Sequence, residues 1–320
     1  MTVHWGIRIA ALAAAASVVL AGCGDTAAPR GTAAGTPTLG GPSHQTPSST
    51  PPSTPGTPST PTTAASTPPK ASQPTQPSGP ATTPGATGRP GESHETNLMP
   101  VIQHGPRDKK WVALTFDADL TALMRKRLQH GKVKSYYNEA LITKLRQQHV
   151  PATLFLTGMW MEQYPDRVRE LAADPLFELG THTYDHKGFT KHCYTLGTVD
   201  RKDMLSDVRK AVTMLDQLDS HATRWFRFPG GCYDGTALHE LAPAGVTAVG
   251  LDVPGADGFA KSPKPIVNQV LTHCQNGSIV VLHMHGGDNA PYTDEAITPI
   301  IAGLRAKGFR FVTVTQLMNG

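Results

Sequence analysis

The sequence predicts a parallel α/β domain, and three observations carry that reading. Short β-rich runs alternate with amphipathic helical stretches seven times over, between residues 112 and 314. From residue 24 to about residue 98 the chain has almost no aliphatic side chains, so core-forming material begins only after that stretch. Aspartate, histidine and arginine recur just after the expected strands, where parallel α/β folds gather their active-site loops. The count of alternations does not say whether the sheet opens or closes.

The first elements are addressing rather than fold. His4 and Arg8 give a weakly basic start, and residues 9–20 form an apolar run of about 12 residues. That is too short to span a bilayer comfortably and suits a signal sequence. The run ends in Leu20-Ala21-Gly22-Cys23, which resembles the lipobox of bacterial lipoproteins. The resemblance implies a signal peptide over 1–22, cleavage before Cys23 and lipidation of its sulfur. An ordinary secretory signal with an incidental cysteine is the plainer alternative. Residues 23–98 are dominated by Thr, Pro, Ser, Gly and Ala and cannot offset their ordering entropy by burial, so a disordered tether is expected. As polyproline II it would reach at most on the order of 200 Å, and as a coil nearer to about 50 Å.

Residues 99–320 are long enough for one well-buried domain. The chain's formal net charge of +4 is mild and unclustered, which argues against a nucleic-acid partner. With Cys23 assigned to the anchor, Cys193, Cys232 and Cys274 remain, and an exported setting permits one bridge among them. Cys193 and Cys232 could brace neighbouring loops or stay buried thiols. No Cys-x-x-Cys pattern points to metal held by sulfur. Nothing suggests an interface, so a monomer is expected.

Strands are expected over 112–116, 152–156, 177–181, 225–228, 246–251, 279–282 and 310–314. Helices are expected over 136–149, 166–173, 202–218, 266–274 and 294–307. In the last of these, Ile297, Ile300, Ile301 and Leu304 fall at helical spacing and read as core. Residues 120–135 and 187–200 are expected to be loops that shape a binding surface. Tyr136, Tyr137 and Trp160 could stack on sugars, although packing is the safer assignment.

Asp117 and Asp119 follow the first expected strand, and His182 and His186 follow the third. Arg227 lies at the end of the fourth, Asp257 beyond the fifth, and His283 ends the sixth. Two imidazoles four residues apart, with a carboxylate, make a three-ligand divalent-metal set with one position open for water. Such a site is built for hydrolysis, whereas a structural zinc site would take a fourth protein ligand. Singly these residues have plainer readings as turn histidines, loop or capping carboxylates, a salt-bridged arginine and an Asp-Gly turn.

Together they are similar to the motifs of the polysaccharide deacetylases, carbohydrate esterase family 4 or the NodB-homology domain. Thr115-Phe-Asp117-Ala-Asp119 resembles the family's Thr-Phe-Asp-Asp, and His182-Thr-Tyr-Asp-His186 its His-Ser/Thr-x-x-His. Arg227-Phe-Pro229-Gly230-Gly231 resembles its Arg-x-Pro motif, Asp257-Gly258 its Asp before Trp, and Val281-Leu282-His283 its Leu-x-Leu-His. The resemblance implies a distorted (β/α)7 barrel and a hydrolase that removes N-acetyl groups from amino sugars of an extracellular glycan, peptidoglycan first among them. It implies Zn2+, or another divalent ion such as Co2+, on Asp119, His182 and His186. Asp117 would then be the base, Arg227 would orient it, the Gly230 N–H would face the oxyanion, and His283 would be the acid, aligned by Asp257. With the lipid anchor, the protein would sit on the outer face of a bacterial membrane, facing the wall.

Two departures stand out. Ala118 separates the carboxylates that the family has adjacent, so either a one-residue bulge brings Asp119 to the metal or two histidines hold it alone. Gly258 stands in place of the family's Trp. His285 competes with His283 as the acid, and register against the family's pattern favours His283. An O-acetyl glycan esterase of the acetylxylan type and a non-catalytic glycan-binding wall lipoprotein are the rival functions.

Overall fold

Strand–helix alternation builds a curled parallel sheet with helices packed on its outside. The computed structural model describes residues 97–320. The expected signal peptide, Cys23 and all but the last two residues of the tether lie outside the described residues. Among the described residues no helix is long and apolar enough to cross a membrane.

The strands are β1 (Val101–Ile102), β2 (Trp111–Ala118), β3 (Ala152–Leu156), β4 (Phe177–Thr181), β5 (Trp225–Phe226), β6 (Thr247–Val249), β7 (Val253–Pro254), β8 (Ser278–His283) and β9 (Arg310–Phe311). The helices are α1 (Ala122–Gln129), α2 (Glu139–Gln147), α3 (Gly158–Gln163), α4 (Pro165–Ala172), α5 (Met204–Leu218), α6 (Gly235–Leu241), α7 (Pro263–His273), α8 (Thr293–Ala306) and α9 (Val314–Asn319). The sheet runs β1-β6-β5-β4-β3-β2-β8-β7, with β9 paired to the first two residues of β2. Every pairing is parallel. Strands β1 and β7 end the path without pairing to each other, so the sheet is the incompletely closed, distorted (β/α)7 barrel expected.

Period-two alternation sorts the side chains of β2. Val112, Leu114, Phe116 and Ala118 join the large cluster under the helices, with Leu154, Leu156, Ile297 and Ile301. Ala113 joins the barrel interior with Phe155, Val249 and Ile279. Thr115 and Asp117 share the parity of Ala113 and therefore point inward. The interior is closed at the strands' amino ends by Val312, Val314 and Leu317. The opposite end is left for polar chemistry.

Several boundaries differ from the sequence expectation, each for a local reason. The last strand stops at Phe311 because Thr313 and Gln316 form a reciprocal capping box that starts α9 at Val314. The fourth stops at Phe226, ahead of Pro229, which cannot donate to a ladder. Helix α2 begins at Glu139 because the Asn138 side chain accepts from the Leu141 N–H. Tyr136, Tyr137 and Trp160 are core, with the Trp160 Nε1–H donating to Tyr136 O at 2.7 Å, so they offer no sugar-stacking face. The stretch expected as a loop at 120–135 contains α1, which buries only Met124 and so lacks an apolar stripe to betray it.

Candidate active site

The carboxyl ends of β2, β4, β5 and β8 bring the expected residues together. Asp117 is the last inward-facing residue of β2. Ala118 packs outward, and its carbonyl accepts from both the N–H and the Oγ1 of Thr157. Asp119 follows with the parity of Asp117 and turns back inward. No bulge is needed: with one residue between them, both carboxylates lie on the same face of the extended chain. The expected bulge is thus replaced by plain alternation, and Thr157 pins the exit by accepting from the Leu120 N–H as well.

His182 extends the ladder past β4 through its N–H to Leu156 O at 2.9 Å. The next turn is tight, with Thr183 at φ 66° and His186 at φ 63°. Positive φ is costly for a β-branched residue and marks a backbone held for a purpose. Here Thr183 Oγ1 accepts from the His186 N–H, and Asp207 Oδ1 on α5 accepts from the Tyr184 N–H. The turn sets the two rings 4.9 Å apart. His182 Nδ1 is hydrogen-bonded to Arg227 O at 2.8 Å, which puts the ring's lone pair on Nε2. That atom lies 3.5 Å from Asp119 Oδ1 and 3.7 Å from Asp117 Oδ2, while His186 Nε2 lies 3.4 Å from Asp119 Oδ2.

One ligand atom from each of Asp119, His182 and His186 fits within 4.8 Å of the others, and all three residues are buried. Asp119 Oδ1 and His186 Nδ1 are buried without a hydrogen-bond partner, which costs free energy unless something else satisfies them. Burial pushes His186 down to about 4, against the pull of Asp119, so its imidazole is neutral and able to ligate. Burial would raise Asp119, but His186, His285, His283 and His182 together hold it well below the usual carboxylate range. The donor set therefore fits a divalent cation. Asp119 reaches the same place as the two histidines.

On one side of this set, Arg227 Nη1 donates to Asp117 Oδ1 at 2.7 Å, both side chains being buried. The guanidinium lies 4.1 Å from the centre of the Phe155 ring and its Nε donates to Val249 O. Burial lowers Arg227 and its pairing with Asp117 opposes the loss. Beside it, Gly230 has φ 59° in a short turn spanning Pro229–Gly231. A glycine accepts that conformation without strain. The Gly230 N–H stands at the start of the turn, where no intrahelical acceptor exists.

On the other side, Asp257 is fully buried and fully satisfied. Its Oδ1 pairs with His283 Nδ1 at 2.8 Å, and its Oδ2 accepts from the His283 N–H at 2.8 Å and from Thr293 Oγ1 at 2.6 Å. Burial would raise Asp257, but His283 and those hydrogen bonds hold it below its ordinary value. Burial would lower His283, but Asp257, then Asp119 and Asp117, raise it to about 10. Its side chain is 28% exposed and its Nε2 is 4.0 Å from Asp119 Oδ2. His285 is different: it is buried, and its Nδ1 sits 3.4 Å from the Asp119 N–H. Burial pushes its ring below the usual value despite Asp119. A neutral, enclosed ring is a poor proton donor, which separates it from His283.

Sequence reasoning missed the supports: Thr157, Thr293 and Asp207. It also left the disulfide open, and the structure bonds Cys193 to Cys232, with Cα atoms 5.8 Å apart. Burial pushes the Cys274 thiol up to about 11, so it stays protonated at neutral pH. Asp207 supplies a stability test. Its carboxyl is pushed up to about 6, chiefly by burial, with Asp185 adding and the Tyr184 N–H, Lys187 and Lys210 opposing. A carboxyl raised in the folded state disfavours folding once it ionises, so this contribution falls as pH rises from about 4 to about 6. Asp207→Asn keeps an acceptor for Tyr184. It should raise folding stability at pH 7.5 by up to about 3 kcal/mol, and the thermal midpoint with it, and leave both unchanged at pH 4. Equal gains at both pH values would sink this account.

The comparisons agree with this geometry. The family model described as polysaccharide deacetylase matches residues 104–249, which hold Asp117, Asp119, His182, His186, Arg227 and Gly230. A peptidoglycan-N-acetylglucosamine deacetylase of Bacillus cereus is 28% identical over 217 residues, covering 67% of this chain and 70% of that protein. The crystal structure of a peptidoglycan N-acetylglucosamine deacetylase in complex with 4-naphthalen-1-yl-N-oxidanyl-benzamide superposes with a TM-score of 0.59 at 27% identity. That match covers 69% of this chain and 94% of the other. A carbohydrate esterase family 4 pseudoenzyme from Bacillus anthracis shares the fold, with a TM-score of 0.54 at 22% identity, over 68% of each chain. The fold and the side chains at its open end are similar to those of glycan deacetylases. Over residues 104–249 the chain is similar to the polysaccharide deacetylase family.

Proposed function

We propose that this protein is a metal-dependent hydrolase that removes N-acetyl groups from the amino sugars of peptidoglycan outside the cell. One observation carries the reading. A buried Asp-His-His set is flanked by a base candidate held by a buried arginine and by an acid candidate held by a buried aspartate. The relatives named as peptidoglycan deacetylases support the choice of polymer. Anchoring through lipidated Cys23, with residues 23–98 as tether, would hold a monomeric domain beside that polymer.

Asp119, His182 and His186 would hold Zn2+ or a similar divalent ion. When bound, such an ion supplies positive charge that acidifies water and polarises an acetyl carbonyl. Asp117 takes the proton of the attacking water on Oδ2, since Oδ1 is engaged by Arg227. Arg227 Nη1 holds that carboxylate correctly turned. The Gly230 N–H donates to the oxygen that gains charge as water adds to the acetyl carbon. His283, protonated near neutral pH, gives its Nε2 proton to the departing nitrogen as the C–N bond breaks, and Asp257 holds the ring through Nδ1. Acetate and a free amino sugar result.

The test is acetate release from N-acetylglucosamine oligomers and from purified peptidoglycan, with and without a chelator. Release that the chelator stops and added Zn2+ or Co2+ restores is the expected result. Release that survives metal removal would overturn the mechanism. Release only from O-acetylated glycans would move the activity to the ester.

A further inference from the structure

Four large hydrophobic side chains are exposed among the described residues, and the two aromatic ones meet beside the site. Tyr194 is 60% exposed and Phe259 73% exposed, although they come from loops 65 residues apart in sequence. Their ring centroids are 6.1 Å apart and their planes are tilted by 37°. Hydrophobic patches of this kind on a soluble surface mark binding more often than accident when they adjoin a site.

Both rings are tied to candidate catalytic groups. Tyr194 follows Cys193, whose disulfide to Cys232 fixes its loop against the Pro229–Gly231 turn. A β-carbon on Gly230 would lie 2.9 Å from Tyr194 Cε2, so the tyrosine ring rests on the residue that offers its N–H to the oxyanion. Phe259 ends the short turn Asp257–Phe259, whose first residue holds His283. Between them, Gly258 leaves room over His283: a β-carbon there would come no closer than 3.7 Å to His283 Cε1. Tyr194 itself is held at φ 51° and Ala256, just before the Phe259 turn, at φ 57°. Neither residue is a glycine, and the chain bears that strain to present these two loops.

We propose that Tyr194 and Phe259 form a stacking platform for a pyranose ring of the glycan, next to the sugar being deacetylated. The proposal rests on the glycan reading above and adds where the polymer lies. The apolar C–H face of a pyranose packs on an aromatic face, whose π-electrons are negative. A ring sandwiched between the two side chains would need about 7–8 Å, two carbon–carbon contacts of about 3.5–4 Å. At 6.1 Å the pair admits nothing between its members and offers its outer faces instead. Tyr194 adjoins Gly230 on the oxyanion side and Phe259 ends the turn of Asp257 on the acid side, so a sugar held by either ring lies next to the reacting centre.

The test uses the full chain and a tetramer of N-acetylglucosamine. Isothermal titration should show Kd raised about 3- to 10-fold by Tyr194→Ala and by Phe259→Ala. Tyr194→Phe and Phe259→Tyr, which keep the rings, should bind like the wild type. In turnover the alanine variants should raise KM by a similar factor with kcat within about twofold, whereas a collapsed site would lower kcat. Unchanged Kd in both alanine variants, or no tetramer binding by the wild-type chain, overturns the platform. Loss of binding in the alanine variants of a protein that releases no acetate would keep the platform and remove the deacetylase reading, so the two fail separately.

Discussion

Asp117→Asn is expected to lower acetate release by about 10^2- to 10^4-fold and to leave the metal content unchanged. The amide is isosteric and still offers an oxygen to Arg227 Nη1, now 2.7 Å from Asp117 Oδ1, so the packing of the site is kept. What is lost is the basic lone pair on the second oxygen. Asp117 is not one of the three groups that converge for a metal, so equilibrium dialysis should find the ion still bound. The substitution has a second consequence. Arg227 is fully buried, and removing the charge of its partner leaves a cation uncompensated, which typically costs about 3–5 kcal/mol. Assays therefore belong well below the melting midpoint of the variant. A variant that keeps more than a tenth of wild-type turnover with metal bound would remove Asp117 as the base.

Much of this site was legible because strand ends are where sequence and function coincide. Strands β3 and β4 appear at the expected residues, and β2 and β8 within a few, because long strands covered on both faces read as apolar runs. Two-residue strands such as β1 and β7 leave no such trace. Helices α3 and α6 are too short to show a period, and α1 buries too little to show a face. Inside the site, the polar residues themselves could be picked out, but not what steadies them. Thr293 acts on Asp257 from 36 positions away, a distance at which spacing carries no signal, whereas the Cys193–Cys232 bridge was at least open to suggestion from the place of both cysteines just after the second and third motifs. The Asp117-Ala118-Asp119 stretch is the instructive case. Counted along the chain it looks like an insertion that disturbs a ligand set; counted along a strand it is the spacing that puts two carboxylates on one face.

That parity yields the sharpest test of the ligand set. Asp119→Ala and His182→Ala should each lose the metal, with affinity down at least about 100-fold, and lose turnover with it. Asp119 carries the negative charge of the set: its two oxygens lie 3.4–3.6 Å from nitrogens of His182, His186 and His285. Without it, the anion left beside the imidazoles is Asp117, 3.7 Å from His182 Nε2 and already paired with Arg227, so the set loses the carboxylate that offsets a bound cation. His182 is held rigidly through Nδ1 by Arg227 O, so its loss removes the best-oriented nitrogen rather than a mobile one. The contrast with Asp117→Asn is the discriminating feature, since the two carboxylates are two residues apart and share one face of the chain. If Asp119→Ala keeps its metal while Asp117→Asn loses it, the roles are exchanged, and Ala118 would mark a shift of function between neighbours. If both variants keep the metal, the histidines suffice to hold it, and the carboxylate pair belongs to proton transfer alone.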